Sequence, residues 1–371
     1  MTSVLVVNAG STSLKVSVLD ENDAVASALE LDPWDGSPDH SKLAAFLARN
    51  GNCVVIGHRV VHGGSIFTGP AMIDDSVLAA IGDLTDLAPL HQPRALAAID
   101  ATRRILPAVP AVACFDTAFH AGLPAAAATY ALPADWNSRF GLRRYGFHGL
   151  SHGYACRRAA ALIGQDLAEL RIVSCHLGGG ASLAAIHHGR SVDTTMGFTP
   201  LEGLVMATRS GSVDPGLLIW LIQHGKVTVE DMSAGLEQAS GLAGLAALPD
   251  RSGDMRNVRA ASDAGSTAAR LAIEVYLHRL RREIAAMAAA MNGLDVLVFT
   301  GGIGEHHPQI RAGAADGLGF LGVSLNADRN AAATTDDEIG DPETTVRVLV
   351  VTAREDIEIG RQARQTLART P

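Results

Sequence analysis

The chain has 371 residues, of which 47% are hydrophobic and 19% are charged, a composition that supplies a large core and argues against disorder. One core rarely grows beyond about 250–300 residues, so we expect two domains. The formal net charge of -9 argues against a nucleic-acid partner, which would favour a basic surface.

The cysteines and the hydropathy pattern bear on the compartment. None of the four cysteines, Cys53, Cys114, Cys156 and Cys175, lies in a C-x-x-C pair, and we interpret them as buried free thiols in a reducing compartment. The first residues do not have the basic and apolar regions of a signal peptide, and no apolar run reaches the roughly 18 residues of a membrane span. The sequence therefore predicts a cytoplasmic protein without a membrane partner.

The first predicted elements are two strands joined by a turn. Residues 4–7 are apolar and β-branched, and residues 14–19 alternate apolar with polar side chains, so residues 8–13 between them predict a hairpin. Residues 172–177 and 182–187 predict a second hairpin around three consecutive glycines. This recurrence indicates two halves that begin alike.

Strands and helices alternate along the rest of the chain, which is the pattern of an α/β fold. Apolar residues at three- and four-residue spacing predict a long helix over residues 267–292. We predict further strands at 109–115, 296–299 and 346–351, a surface loop at 331–345 and a final helix from about residue 356.

Three glycine-containing segments each follow or leave a predicted strand: residues 8–15, 176–182 and 301–305. A phosphate requires several backbone N–H groups directed at one point, and glycine allows that approach. One such segment alone is explained by ordinary turn chemistry, whereas three favour phosphate binding. The chain has neither G-x-x-x-x-G-K-[ST] nor a complete dinucleotide fingerprint, so a nucleotide would bind by another architecture.

Two arginines and two carboxylates are candidates for an anion and metal site. Arg59 and Arg209 lie beside glycines, and the planar guanidinium matches a carboxylate or a phosphate, although a surface salt bridge would explain each segment alone. Asp116 and Glu355 follow predicted strands, where a carboxylate either holds Mg²⁺ or begins a helix.

Eight segments, in chain order, together resemble the acetokinase family. They are residues 8–15 (NAGSTSLK), 58–64 (HRVVHGG), 115–120 (FDTAFH), 144–152 (RYGFHGLSH), 176–180 (HLGGG), 196–204 (MGFTPLEGL), 208–211 (TRSG) and 299–305 (FTGGIGE).

The resemblance implies the superfold of actin, Hsp70 and sugar kinases, in which two ribonuclease-H-like α/β domains hold ATP in an interdomain cleft. The first domain would contain residues 1–117 plus 356–371, and residues 118–355 would form the second domain, with the nucleotide site. The implied activity is that of an acetate kinase: direct in-line, reversible phosphoryl transfer between ATP and acetate, giving acetyl phosphate and ADP. Mg²⁺ or Mn²⁺ as cofactor, a cytoplasmic homodimer and a place in acetyl-CoA biosynthesis are implied with it.

The resemblance also implies roles for individual residues. Catalytic roles would fall to Asp116, Arg59, Arg209, His148 and His176, with His148 and Arg209 stabilising the transition state. The carboxylate and its acyl group would contact Arg59, Val61, Leu90, Phe147 and Pro200. Asn8 and Glu355, with Asp116, would position the metal. ATP would contact Ser11, Ser13, Lys15, His176, Gly178, Gly179, Gly180, Asp254, Met255, Arg256, Gly301, Gly302, Ile303 and Gly304.

Two positions depart from the family pattern, because Gly179 and His306 stand where the family usually has asparagine. Three alternatives remain open at this point. Propionate or butyrate kinase differs only by methylenes in the acyl pocket, which are worth about 1–3 kcal/mol of discrimination each. A non-catalytic ATP-binding switch of the same superfold would keep the glycine loops, and a sugar kinase would use Asp116 as a base.

Overall fold

The computed structural model describes residues 3–10, 13–34, 36–37 and 40–369, so the predicted phosphate contact Ser11 lies outside the described residues. The strands, in chain order, are β1 Val4–Ala9, β2 Leu14–Leu19, β3 Val25–Leu31, β4 Val55–Val60, β5 Ala71–Met72, β6 Ala111–Phe115, β7 Arg171–Leu177, β8 Ala181–His187, β9 Arg190–Thr194, β10 Val296–Thr300, β11 Asp337–Glu338 and β12 Arg347–Val350.

The α-helices, in chain order, are α1 Ser41–Arg49, α2 Asp75–Asp83, α3 Gln92–Ile105, α4 Ala125–Ala128, α5 Ala134–Phe140, α6 Gly149–Ile163, α7 Pro215–Gln223, α8 Val229–Gln238, α9 Gly241–Ala246, α10 Met255–Asp263, α11 Thr267–Ala290, α12 Gly301–His306, α13 Pro308–Ala315, α14 Ala327–Ala332 and α15 Glu355–Arg369. Short 3₁₀ helices lie at Thr85–Leu87, Ala118–His120, Leu167–Glu169 and Gly319–Leu321.

Two six-stranded sheets share one topology. Their strand orders are β3-β2-β1-β4-β6-β5 and β9-β8-β7-β10-β12-β11. In each sheet three strands form an antiparallel meander. The first strand of the meander pairs in parallel with the next long strand, which pairs in parallel with a further long strand, and a two-residue strand closes the edge in antiparallel pairing. The prediction of two halves that each begin with a hairpin is confirmed, as is the α/β class.

The first strand shows why its sequence is a continuous apolar run. Successive side chains of a strand point to opposite faces, so a sheet covered on both faces needs apolar residues at every position. Leu5 and Val7 pack in a buried cluster with residues of α1 and α3, whereas Val4 and Val6 pack in another with Ile359 of α15. This helix therefore completes the first sheet from the far end of the chain.

The predicted long helix is confirmed as α11. The hydroxyl of Ser266 accepts a hydrogen bond from the backbone N–H of Ala269 at 3.2 Å and caps the N-terminus. Leu280, Ile284 and Met287 of the predicted apolar stripe are buried. The helix packs against β7 and β8, so it covers one face of the second sheet.

Two local predictions are wrong. Residues 301–305, a glycine turn after a strand by prediction, form the beginning of α12, because the left-handed backbone of Gly301, with φ of 76°, lets the chain pass from β10 directly into a helix. The segment 331–345 is not a loop throughout, since it includes the end of α14 and the edge strand β11.

The chain forms two compact units. The first contains the described residues of Met1–Gly122, Phe147–Tyr154 and Arg354–Pro371, and the second contains Leu123–Gly146 and Ala155–Ala353. These units differ from the domain boundaries predicted above, which remain a prediction, mainly by assigning Phe147–Tyr154 to the first unit.

Two further features concern the burial of the cysteines and the apolar length of the helices. All four cysteines are buried and none forms a disulfide bond, as predicted. Among the helices that the structure describes, none combines the length and apolar character needed to cross a bilayer.

His58 of β4 makes the stability of the fold sensitive to acid. The hydroxyl of Thr102 donates to the carbonyl of Ile99 at 2.8 Å and lies 3.0 Å from Nε2 of His58, so a neutral ring with its proton on Nε2 fits. Burial lowers the pKa of His58 from 6.5 to about 3, and burial likewise lowers the pKa of His120 to about 4.

We expect the free energy of unfolding to be greatest above about pH 6.5 and to fall as the pH drops below it, because the unfolded chain takes up protons that the folded chain refuses. Each histidine adds a slope of up to about 1.4 kcal/mol per pH unit. Urea titrations between pH 7 and 5 on the wild type and on His58→Gln measure this, and the variant should lose stability less steeply. Equal slopes for the two proteins would contradict the assignment.

Candidate active site

Three parallel strands of the first unit end at one edge of its sheet. Strands β1, β4 and β6 are neighbours in that order, and the register pairs Val7 with His58. Asn8 and Arg59 follow this register pair, and Asp116 follows the last residue of β6. Parallel pairing thereby brings three side chains that are distant in sequence to the carboxyl edge of the sheet, where ligands bind in open α/β folds.

The guanidinium of Arg59 is held on several sides at this edge. Its Nη2 donates to Oδ2 of Asp116 at 2.7 Å, its Nε donates to the same carboxylate at 3.1 and 3.3 Å, and its Nη1 donates to Oδ1 of Asn8 at 3.1 Å. Asp116 is 1% exposed and Arg59 is 15% exposed. The simple alternative of a surface salt bridge therefore does not apply to Arg59.

A second carboxylate enters the cluster from α15. Oε2 of Glu355 accepts from Nδ2 of Asn8 at 2.9 Å and lies 3.8 Å from Nε of Arg59. Glu355 is the first residue of its helix, where a negative charge is favoured by the helix dipole. Glu355 therefore begins a helix and also reaches the sheet edge, so its position in the first turn does not exclude a role in metal binding.

The charges of this cluster do not balance. Burial lowers the pKa of the Arg59 guanidinium, but the charges of Asp116 and Glu355 outweigh that effect and raise it overall. Burial raises the pKa of Asp116 to about 6, Arg59 opposes this, and Glu355 adds to the rise. Two carboxylates share one guanidinium, and the excess negative charge suits a cation.

The first turn of α6 is built against Asp116. The backbone N–H of Gly149 donates to the carbonyl of Asp116 at 2.9 Å, and a Cβ on Gly149 would overlap that oxygen. His148 has a left-handed backbone with φ of 56°, and its carbonyl accepts from the N–H of His152 at 2.9 Å. The structure thus places His148 one residue from a backbone contact with Asp116.

The residues expected around an acyl group lie in both units. In the first unit Val61 and Phe147 are buried, and the Phe147 ring lies 5.5 Å from the ring of His62. Leu90 belongs to the same unit and is 57% exposed, and Pro200 belongs to the second unit.

The first hairpin places Lys15 directly opposite Asn8 in the antiparallel register. Directly opposed residues lie on the same sheet face, so Lys15 and Asn8 share a face. The ammonium of Lys15 lies 3.3 Å from a carboxylate oxygen of Glu30, and both side chains are more than half exposed. Ser13 closes the described part of the turn, since its carbonyl accepts from the N–H of Gly10 at 2.8 Å.

The second unit contains a cavity of about 350 Å³ that unites distant motifs. It is lined by Gly178, Gly179, Ala207, Gly253, Asp254, Met255, Arg256, Gly302, Ile303, His306 and His307. Seven of these residues belong to the predicted nucleotide set. Gly180, Gly301, Gly304 and His176 of that set do not line the cavity, but His176 pairs with Thr300 in the sheet register, directly before α12.

Close backbone contacts require glycine at two positions at or next to this cavity, Gly253 and Gly301. The N–H of Ala207 donates to the carbonyl of Gly179 at 3.1 Å, and a Cβ on Gly253 would overlap the carbonyl of Ala207. A Cβ on Gly301 would lie 2.8 Å from the carbonyl oxygen of Leu177. Gly179 and Gly302 differ, because nothing lies within 4 Å of the position of a Cβ on either.

Asp254 caps α10 beside the cavity. Its carboxylate accepts from the backbone N–H of Arg256 at 2.8 Å and from the Arg256 guanidinium at 2.6 to 3.2 Å. These hydrogen bonds lower the pKa of Asp254, with burial opposing them. The cavity rim therefore carries an ionised, mostly exposed pair.

Arg209 of the second unit contrasts with Arg59. Its Nη1 donates to the carbonyl of Pro200 at 2.6 Å, and none of the carboxylates within the described ranges lies within salt-bridge distance of it. Burial lowers its pKa, and the charge of Glu237 opposes this. Its cationic group thus keeps donors for an anion.

Arg311 is a buried residue that the sequence analysis missed. It is 0% exposed, and it donates to the carbonyls of Gly304 and Glu305 at 2.8 and 2.7 Å and to Asn330 at 2.7 and 2.6 Å. It therefore satisfies the last carbonyls of α12, the short helix whose first turn lines the cavity. The only signal in the sequence was an arginine in a helical segment made mostly of apolar and small residues.

The other cavity and the other side-chain groups in the described part of the chain give no further candidate site. A larger cavity, about 640 Å³, lies among residues of α13, α14 and the segment between them, and no predicted site residue lines it. No group of three or more histidine, cysteine, aspartate or glutamate side chains is arranged to hold a metal ion within the described ranges. A cation at the first-unit cluster would thus depend on Asn8 and non-protein ligands besides the two carboxylates.

Comparison with known proteins agrees across the chain. Residues 40–361 match the model of the Acetokinase family. An acetate kinase of Gloeobacter violaceus is 50% identical over 316 residues, which are 85% of this chain and 77% of that protein.

Two solved structures resemble this chain over nearly its whole length. The crystal structure of Porphyromonas gingivalis acetate kinase has a TM-score of 0.90 and 34% identity and covers 99% of this chain and 100% of its own. A propionate kinase from Francisella tularensis subsp. tularensis SCHU S4 has a TM-score of 0.89 and 33% identity, covering 98% and 100%. The fold is thus that of the actin, Hsp70 and sugar kinase superfold, and the chain is a kinase that belongs to the acetokinase family.

Proposed function

We propose that this enzyme transfers the γ-phosphoryl group of ATP reversibly to acetate, giving acetyl phosphate and ADP by direct in-line displacement. The family membership supports the reaction class. The observation that carries the choice of a carboxylate acceptor is the arrangement of Asp116, whose carboxylate oxygens both accept hydrogen bonds from Arg59.

A hydroxyl acceptor requires a base, whereas a carboxylate has no proton to lose. Asp116 is committed to Arg59 on both oxygens, which disfavours a role in proton abstraction and hence the sugar kinase alternative. Glycine loops alone would suit a non-catalytic ATP switch, but such a protein has no need for Arg59, for Arg209 or for residues that bind an acyl group.

The cluster in the first unit fits a divalent cation. Carboxylate and carboxamide oxygens are the ligands that Mg²⁺ prefers, and Mg²⁺ usually takes one or two carboxylates together with water and phosphate oxygens. Asn8, Glu355 and Asp116 would hold Mg²⁺, or Mn²⁺ in its place, and their excess negative charge favours it. When bound, the ion supplies charge neutralisation at the phosphate oxygens.

The remaining residues would bind and orient the reactants. The open donors of Arg209 suit the phosphoryl oxygens, and with His148 and His176 it would stabilise their charge during transfer. Val61, Leu90, Phe147 and Pro200 would surround the acyl methyl group, and Arg59 would contribute to carboxylate binding. The glycine-lined cavity would bind the nucleotide. Asp254, Met255 and Arg256 would contact the adenosine. The residues proposed to contact the phosphates are Gly178, Gly179, Gly180, Gly301, Gly302, Ile303, Gly304, Ser13 and Lys15.

We also propose a cytoplasmic enzyme whose acetyl phosphate serves acetyl-CoA biosynthesis. Four buried cysteines without a disulfide bond support a reducing compartment.

A homodimer through α7 is the proposed assembly. This nine-residue helix, PGLLIWLIQ, has no buried residue, and Leu217, Ile219 and Trp220 are 47%, 54% and 47% exposed. A helix apolar on all sides is normally covered. A second copy of the chain is the occupant that the family likeness supports.

The function is tested by incubating the enzyme with ATP, Mg²⁺ and a carboxylate and trapping acyl phosphate as its hydroxamate. We expect product with acetate, propionate and butyrate in decreasing turnover. Absence of acyl phosphate with every carboxylate would contradict the proposal, and faster turnover of a longer acid would reassign the substrate.

Removing either arginine should lower kcat by at least ~10², because transition-state charge loses a donor. Arg59→Ala should also lower the free energy of unfolding by about 3–5 kcal/mol, since it leaves buried carboxylates uncompensated. Arg209→Ala should leave it nearly unchanged, as Arg209 lacks such a partner. Steady-state kinetics and urea unfolding check both parts, and near wild-type kcat in either variant would remove that arginine from the mechanism.

Two adjacent glycines should respond differently to alanine. Gly301→Ala should destabilise the fold by roughly 1–3 kcal/mol, since Gly301 has φ of 76° and its Cβ would crowd Leu177. Gly302→Ala should leave the melting temperature unchanged but raise KM for ATP, because its methyl group would enter the cavity. KM for acetate is the internal control, and an unchanged KM for ATP would argue against nucleotide binding there.

Trp220→Glu should convert the dimer to a monomer in analytical ultracentrifugation, because it places a charge in the apolar contact. Leu271→Glu is the matched control, since Leu271 is 52% exposed on α11 and lies outside the α7 face. A monomeric wild type, or a Trp220→Glu variant that stays dimeric, would contradict the assembly.

A further inference from the structure

Three polar side chains of the second unit form a cluster at residues 196–204, and one of the three belongs to this segment. Arg144 donates from Nη2 to Oε1 of Glu202 at 2.9 Å, and the hydroxyl of Tyr130 donates to Oε2 of the same carboxylate at 2.8 Å. The guanidinium carbon of Arg144 also lies 5.6 Å from the centre of the Tyr130 ring. These contacts leave both oxygens of Glu202 engaged, and we call the three residues the Glu202 cluster.

The cluster holds the start of the segment through its backbone. The Nη1 of Arg144 donates to the carbonyl of Met196 at 3.0 Å, and the hydroxyl of Tyr130 accepts from the N–H of Phe198 at 2.7 Å. A Cβ on Gly197 would overlap both Glu202 and Tyr130, so only glycine permits this approach.

The end of the segment is anchored as well. Gly203 has φ of 106° and donates to the hydroxyl of Ser212 at 3.1 Å, and its carbonyl accepts from the N–H of Ser212 at 3.0 Å. Pro200 therefore lies between a backbone held at residue 198 and one held at residues 202 and 203.

The carbonyl of Pro200 is the contact that orients Arg209. It accepts from Nη1 at 2.6 Å, and no described carboxylate reaches this guanidinium by hydrogen bond or salt bridge. The backbone of Arg209 is fixed separately, since its carbonyl accepts from the N–H of Met206 at 3.1 Å. The Glu202 cluster thus holds residues 198 and 202 on either side of Pro200, and the Pro200 carbonyl contacts the Arg209 guanidinium.

We propose that Glu202, Tyr130 and Arg144 are positioning residues that set the direction of the Arg209 guanidinium through the Pro200 carbonyl. This inference rests on the proposed function, in which Arg209 contacts the transferring phosphoryl group. Misplacing a group by about 1 Å can cost ~10² in rate, so a relaxed Pro200 carbonyl lowers turnover even though Arg209 is intact.

Tyr130→Phe and Glu202→Gln test this, because both keep side-chain volume and remove polar contacts of the cluster. We expect kcat to fall roughly tenfold in each, with KM for ATP unchanged. Tyr276→Phe is the matched control: the Tyr276 hydroxyl is buried in the same unit, on α11, and has no hydrogen-bond partner among the described residues. It should keep wild-type kcat.

A double-mutant cycle separates positioning from general support of the fold. In the Arg209→Ala background, Tyr130→Phe should lower kcat less than twofold further, because the group that it positions is gone. An additive tenfold fall, or wild-type kcat in both single variants, would overturn the inference. Absence of acyl phosphate with the wild type would instead overturn the proposed function, so the two failures are distinguishable.

Discussion

A buried carboxylate and a partly buried one, which share one guanidinium at the end of three parallel strands, are the constraint on which the first unit depends. Parallel pairing of β1, β4 and β6 brings Asn8, Arg59 and Asp116 together, and α15 adds Glu355 from the far end of the chain. A Cβ on Gly57 would lie 2.6 Å from the side chain of Ile359, so glycine lets α15 approach the sheet. The packing of the apolar face of α15 against the sheet thereby places the charge of Glu355 at the sheet edge.

The second unit uses the same topology for a different surface. Its strands β7 and β10 occupy the places of β1 and β4, and their carboxyl ends carry the glycines of the proposed nucleotide cavity and the beginning of α12. Charged side chains thus lie at the carboxyl edge of the first sheet, whereas exposed backbone lies at the corresponding edge of the second. Arg311 supports this second edge from behind by binding the last carbonyls of α12.

Arg59 and Arg209 have the same side chain, but their different surroundings suit them to different roles. Arg59 donates to the carboxylate of Asp116 and the amide oxygen of Asn8, whereas the one hydrogen bond of the Arg209 guanidinium in the described residues goes to the carbonyl of Pro200. A carboxylate nucleophile suits this division, because the reaction calls for charge stabilisation and alignment and not for proton abstraction.

The sequence by itself determined the α/β class, both hairpins, the helix α11 and the family, because apolar periodicity and glycine motifs are local signals. Sequence spacing did not show that residues 301–305 begin a helix, since that depends on how Gly301 packs against Leu177. Only the tertiary structure decided that Arg59 donates to Asp116 and Asn8, that Glu202 and Tyr130 lie against Gly197, and that Arg311 is buried. These facts depend on contacts between residues far apart in the chain, for which neither periodicity nor composition carries a signal.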